Sequence, residues 1–159
     1  MDNFFNNSFG LKFDSRQIVA EILSFMRFAE NCRYKIIIGS DSEAHNGKSV
    51  DFVTAIVVHR VGNGGRYFWR RVEFGKFHTL RDRIIQEVVL SLETAKEILL
   101  TLNGSNAPLF DFEIHVDIGE NGETKSMMQE VLGMIRAYNF EARTKPESYA
   151  ASKVADRHV

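Results

Sequence analysis

The chain has 159 residues, 44% of them hydrophobic, enough to bury the core of one domain. Its formal net charge of −1 excludes a protein that grips nucleic acid mainly by bulk positive charge, and its single cysteine, Cys32, excludes an internal disulfide and any zinc site built on several cysteines. No apolar run reaches membrane-span length, and the opening Met1-Asp2-Asn3-Phe4-Phe5-Asn6-Asn7 has neither the basic start nor the cleavage site of a secretion signal, so a soluble cytoplasmic chain with no membrane partner is expected.

Residues 1–13 are rich in Asn and Phe and show no clean period. They read as an arm packed on the surface and as a candidate contact between two copies of the chain, a homodimer. Asp14-Ser15-Arg16-Gln17 is a helix start, a capping oxygen followed three residues on by Gln. Ile18, Ile22, Leu23, Phe25, Met26 and Phe28 then recur near helical spacing, predicting a helix to about Asn31. Residues 34–40 form a short Ile-rich strand that stops at Gly39-Ser40-Asp41-Ser42-Glu43. Residues 51–61 and 66–77 are two more strands, rich in β-branched and aromatic side chains. Gly62-Asn63-Gly64-Gly65 between them accepts positive φ at little cost and marks a hairpin, so the first three strands form an antiparallel meander.

Residues 79–102 give the clearest helix, with Ile84, Ile85, Val88, Val89, Leu92, Ala95, Ile98, Leu99 and Leu102 on a wide apolar face and Asn103-Gly104 at its end. Residues 110–118 are a fourth strand, broken by Gly119-Glu120-Asn121-Gly122. Thr124 caps a predicted helix to about Tyr138, residues 140–144 make a brief fifth strand ended by Lys145-Pro146, and residues 148–158 form a last helix of small side chains. The long helix lets the fourth strand return parallel to the first by a right-handed crossover. The expectation is one α/β domain over residues 1–159. Its sheet is five-stranded and mixed, three meander strands then two parallel ones, with helices beside it and residues 1–31 forming an arm and a helix packed on it.

Asp41 and Asp117 share one context, a carboxylate at the carboxyl end of a mostly apolar strand, which is where open α/β sheets bind ligands. If the two strands are parallel neighbours, the carboxylates stand about 5 Å apart across one strand spacing. Such a pair repels and calls for a cation, and oxygen-only ligands suit Mg²⁺ or Mn²⁺. Either Asp alone reads as a turn cap. A third carboxylate is expected from the long helix, where Glu87 and Glu93 are candidates and Glu97 lies near the far end. Glu87 sits among Ile85, Val88 and Val89, and its competing reading is a solvated helix residue. Asp156 follows Ser148 and Ser152 at four-residue spacing, a small stripe that lets a helix approach a sheet. Its competing reading is a surface pair with Lys153 or Arg157.

Other chemistries lack their residues. The run from Asp41 to Gly47 sets its Gly one position late for a calcium loop and has no Glu at the twelfth position. There is no P-loop, no dinucleotide fingerprint, and no nucleophile elbow to support a triad from the five histidines. Basic residues outnumber acidic ones between Arg60 and Arg83, and Tyr67, Phe68 and Trp69 interleave with Arg66, Arg70 and Arg71. That is a solvated face over a half-buried aromatic strand, with the outward arginines as candidate contacts to a nucleic acid backbone.

The element order, with an Asp ending the first strand, a Glu on the crossover helix, an Asp ending the fourth strand and an Asp on the last helix, resembles the ribonuclease H-like superfamily. More narrowly, Ile38-Gly39-Ser40-Asp41-Ser42-Glu43, the run from Phe52 to Arg60, Tyr67-Phe68-Trp69-Arg70-Arg71 and Ala151-Ser152-Lys153-Val154-Ala155-Asp156-Arg157 resemble the small bacterial YkuK-like family of predicted ribonuclease H-related nucleases. The resemblance covers nearly all of the chain after the arm. It implies a divalent-metal-dependent nuclease cutting RNA, RNA–DNA hybrid or structured DNA with two metals. Asp41 would bridge both, Asp117 and Glu87 would complete one shell, and Asp156 would hold the other, with Glu43 and Glu120 as acidic neighbours. Arg66, Arg70, Arg71 and Lys153 are the candidate nucleic acid contacts. The alternative is a non-catalytic nucleic acid or protein-binding module on the same fold, which the mild charge would suit. A small-nucleotide transferase or hydrolase would use the same metals.

Overall fold

The computed structural model describes residues 3–159, so Met1 and Asp2 of the expected arm lie outside the described residues. Three long strands make the centre of the sheet: β3 (Tyr34–His45), β4 (Ser49–Arg60) and β5 (Gly65–Phe74). β3 and β4 pair antiparallel without interruption from Tyr34–Arg60 to His45–Ser49. The first strand therefore does not stop at Gly39; it runs on through Asp41 to His45. The reversal comes later, where Asn46 and Gly47 take φ of 50° and 66° and the Lys48 N–H bonds the His45 carbonyl at 3.0 Å. Positive φ values at two positions of this three-residue loop turn the chain into a hairpin. The second hairpin forms as expected, with Gly62 and Gly64 at φ of 79° and 83°.

The arm corrects the expected strand count from five to seven. Phe5–Asn7 (β1) pairs antiparallel with β5, and Lys12–Phe13 (β2) pairs with β1; with Asp111–His115 as β6 and Glu141–Arg143 as β7, the order is β2-β1-β5-β4-β3-β6-β7. β5 would otherwise offer a bare edge of amide groups. Phe5 anchors the arm at 0% exposure, and Asn7 Oδ1 accepts the N–H groups of Phe9 and Leu11 to close the turn between the two short strands.

α1 (Ser15–Arg27) starts at Asp14 with both halves of the expected capping box. α2 (Leu80–Asn103) starts at Thr79, whose Oγ1 accepts from the Asp82 N–H, and returns the chain so that β6 (Asp111–His115) lies parallel to β3. The residues near Thr124 form a 3₁₀ turn before α3 (Met128–Ala137), and Thr124 bonds the Gly119 amide rather than capping the helix. β7 (Glu141–Arg143) then pairs parallel to β6.

The two faces of the sheet are covered differently. Side chains at even positions of β3, such as Ile36 and Ile38, pack with Ile18, Ile22 and Met26 of α1 and with Val88, Leu92 and Ile98 of α2. Odd positions meet the C-terminal segment, where Ile37 touches Ala150 and Val53 and Ala55 touch Ala155. The expected last helix is not an α-helix. Ala150–Ala155 turns with the wide π spacing and Asp156–His158 tightens to 3₁₀. The segment presses on Gly39 so closely that a Cβ there would lie 2.6 Å from the Ala151 nitrogen and 2.9 Å from the Ala150 carbonyl carbon. Both are backbone atoms that cannot swing aside. Gly39→Ala should therefore lower stability by about 1–3 kcal/mol, as an overpacked core does. Urea unfolding would measure it, and a variant as stable as the wild type would contradict the packing described.

Candidate functional site

The site forms where two strands stop pairing. The parallel register of β3 with β6 ends at Gly39–His115, and Asp41 and Asp117 each lie two residues beyond it. β3 continues on β4 alone, so its other edge is open there from one face of the sheet to the other. Asp41, at an odd position, faces the C-terminal segment, and its Oδ1 accepts the Ser42 N–H at 2.9 Å. Ser42, the next residue, faces α2.

α2 is fastened to β3 by hydroxyls. Ser40 Oγ lies 2.7 Å from Ser91 Oγ and 2.9 Å from Thr54 Oγ1. One turn earlier on α2, Glu87 is 4% exposed and its Oε2 accepts from Ser42 Oγ at 2.7 Å. One turn earlier again, Arg83 donates to the Ser42 carbonyl at 2.9 Å and to Ser42 Oγ at 3.2 Å. Among the described residues, Glu87 Oε1 is the buried side-chain polar atom with no partner. Arg83, Glu87 and Ser91 are a polar stripe at four-residue spacing inside an otherwise apolar helix face. Against Ser40 and Ser42 at alternate strand positions, that spacing is a signal in the sequence that would single out Glu87 and add Arg83. Glu93 is exposed, and Glu97 bonds the Ser15 hydroxyl at a distance from this stripe. Glu43 and Glu120 are exposed.

On the other face, Asp117 Oδ1 accepts from Ser152 Oγ at 2.8 Å and lies 3.3 Å from Lys145 Nζ. Since Ser152 spends its hydrogen on Asp117, Ser148 supplies the one shared between the two serines at 2.8 Å. Asp156 hydrogen-bonds Asp41. The segment that carries Ser152 and Asp156 is docked at its start by His115, whose Nδ1 accepts the Ala150 N–H at 3.2 Å. His115 therefore carries its hydrogen on Nε2, 3.2 Å from Glu113 Oε2, and burial holds its pKa below the ordinary value. Glu113, 3% exposed, also meets Lys35 at 3.0 Å and Arg143 at 3.7 Å. Burial alone would raise the pKa of Glu113, but the bonds from Lys35 and His115 and the two positive charges lower it.

The four expected carboxylates thus gather around one opening, and their charges interact. Burial pushes Asp41 up to about 7, helped by the bond with Asp156 and repulsion from Asp117. Burial, with Asp41 and Asp117 nearby, holds Glu87 well above its ordinary value despite the Ser42 bond. The four do not form a ready cage: among the described residues, no three His, Cys, Asp or Glu side chains stand in metal-holding geometry. Two concavities of about 780 and 770 Å³ are lined by other residues, such as Arg33 and Asp111 or Phe9 and Phe28.

The expected nucleic acid contacts divide between the faces. Arg66 stacks on Phe25 at 4.9 Å, and Arg70 stacks on Phe5 at 4.4 Å and reaches Thr94, all on the side away from Asp41. Arg71 is on the same side as Asp41 and donates to the His158 carbonyl. Lys153 is exposed. Trp69 and Tyr67 meet His158, which stacks on the indole at 4.3 Å and bonds the phenol at 3.2 Å.

A family model described as Ribonuclease H-like matches residues 17–159. The chain belongs to the ribonuclease H-like family. It is also 32% identical over 154 residues to the uncharacterized protein YkuK of Bacillus subtilis (strain 168), covering 89% of this chain and 88% of that one, which sets it in a YkuK-like group. No solved structure gives a significant match. The ribonuclease H-like frame is a nuclease-type fold associated with divalent metals, and the donor set here fits such an ion. The donors are all oxygen, Glu87 Oε1 is buried without a partner, and burial raises the pKa of both Asp41 and Glu87, as carboxylates that lack a counter-charge do.

A stability signature follows. Asp41 and Glu87 bind protons more tightly folded than unfolded, so this site favours folding most below the ordinary Asp value of 3.8 and progressively less as pH rises toward about 7. In EDTA the melting temperature should decline across that window through this site. Asp41→Asn should lessen the decline and raise the neutral-pH midpoint by about 2–4 °C. Calorimetry would measure both, and an unchanged or lowered midpoint would refute the account.

Proposed function

We propose that this chain is a divalent-metal-dependent nuclease that hydrolyses phosphodiester bonds in RNA, RNA–DNA hybrid or structured DNA. The observation that carries this reading is the gathering of Asp41, Glu87, Asp117 and Asp156 at the open end of β3 and β6, with one buried carboxylate oxygen unpaired. Those four side chains would hold Mg²⁺ or Mn²⁺. A bound pair of such ions supplies an activated water and stabilises the leaving oxygen. The chain's own residues do the rest. The serine bonds at Ser42 and Ser152 orient Glu87 and Asp117, and Asp41, which burial pushes up to about 7, would give up its proton to a cation's charge. Asp156 sits on a short exposed turn beside Asp41. Arg71 and Lys153 are on the side or segment that a nucleic acid backbone would approach. We read the chain as a single domain working in the cytoplasm. No helix of the described residues is long and apolar enough to cross a membrane.

A second reading is a binding module that keeps the fold without catalysis. The lack of a ready cage among the described residues favours it.

Cleavage of labelled RNA, RNA–DNA hybrid, single-stranded DNA and a four-way junction, with Mg²⁺ or Mn²⁺ against EDTA, separates the two. Metal-dependent cutting is expected on at least one substrate, and Asp41→Asn or Asp117→Asn should reduce it by on the order of 10²-fold or more. Cutting by Asp41→Asn at the wild-type rate would end the nuclease reading. Independently, Mn²⁺ at a hundredfold excess over its Kd should stabilise the wild type by about 2.7 kcal/mol and leave an Asp41→Asn, Asp117→Asn double variant unchanged. Differential scanning fluorimetry reads this without any substrate.

A further inference from the structure

The inference concerns Lys145 and rests on the metal-dependent reading above. Lys145 follows β7, and its backbone N–H bonds the Ile118 carbonyl at 2.8 Å, tying it to the stretch that carries Asp117. Its stem lies over Gly119, where an added Cβ would meet Lys145 Cβ at 3.3 Å and Cδ at 3.6 Å. Its ammonium stands 3.3 Å from Asp117 Oδ1, on an oxygen that already accepts from Ser152. The side chain is 55% exposed against 24% for Asp117. The base of this lysine is therefore fixed while its charged end is free to move, on a flexible four-carbon stem.

We propose that Lys145 is the resident counter-charge of the free site, holding Asp117 until a divalent cation takes that carboxylate and then turning its ammonium to a phosphate of the substrate backbone. An ammonium and a dication cannot both sit against one carboxylate oxygen without strong repulsion. Lys145 thus weakens cation binding and strengthens phosphodiester binding, two opposed effects of one side chain. A merely structural lysine would not add to phosphodiester binding.

Lys145→Met keeps the stem over Gly119 and removes the charge; Lys145→Arg keeps the charge. Mn²⁺ binding is read from the electron paramagnetic resonance signal of free Mn²⁺. Binding of a nuclease-resistant phosphorothioate oligonucleotide is then measured at saturating Mn²⁺ over a range of salt. Lys145→Met should bind Mn²⁺ about fivefold more tightly than the wild type, the scale of one screened like-charge contact. Its oligonucleotide affinity should fall, with the salt slope reduced by about 1. Lys145→Arg should resemble the wild type in both. Unchanged Mn²⁺ affinity in Lys145→Met, with binding lost in Asp117→Asn, would overturn the role of Lys145 and leave the metal reading intact. Tighter Mn²⁺ binding with an unchanged salt slope would overturn the hand-over to phosphate. Absence of Mn²⁺ binding by the wild type would overturn both readings together.

Discussion

The parallel pairing of β3 with β6 is the constraint on which the rest of the molecule depends, because it ends before β3 does. Hydrogen bonding holds the two strands together as far as Gly39 and His115. Past that point β3 stands on β4 alone, and the chain that was β6 turns away carrying Asp117. Glu87, approaching from the α2 side, interacts electrostatically with Asp41 and Asp117 at the end of this pairing. The long crossover helix is what makes the pairing parallel, and the hydroxyl contacts of Ser40 with Ser91 and Thr54 set its height against the sheet.

Such a gathering of acids is unfavourable for folding, and the chain meets it in several ways. Asp41 shares a hydrogen with Asp156, Glu87 is buried toward its neutral form, Asp117 leans on Lys145, and Arg83 stands beside Ser42 and Glu87. Each device answers one carboxylate locally. A cation would answer several at once, which is the basis of the proposed metal site.

Much of this was legible in the sequence. An Ile-rich run ending in Asp41, a mostly apolar run ending in Asp117, the apolar face of α2 and the capping box at Asp14 each pointed to an element of the right type, because periodicity and capping are local. Departures came where longer-range contacts decide. Ser42 to His45 read as loop because they are polar, yet β4 extends β3 through them to the Asn46-Gly47 turn. The arm shows no period because its strands are only three and two residues long, and the unpaired edge of β5 recruits them. Small residues in the last segment foretold a close approach to the sheet, but they do not distinguish ordinary helical turns from the wide ones that fit over Gly39. Glu87 could be chosen from its apolar neighbours. Arg83 and Lys145 were missed, since both matter through partners distant in sequence.

The row Glu113, His115, Asp117 along one face of β6 and its continuation has a consequence for reading natural variation in this family. His115 receives the amide of Ala150 only while its Nδ1 is bare, and Glu113 keeps it so by taking the other nitrogen's hydrogen. Glu113 is in turn steadied by Lys35, near the start of β3, and Arg143, on the edge strand β7. An exchange at either position alters the footing of the segment that brings Ser152 and Asp156 into place. Tolerance to substitution in this protein is therefore ordered by connection to that buried chain of bonds, and a residue's remoteness from Asp41 is a poor guide to its harmlessness.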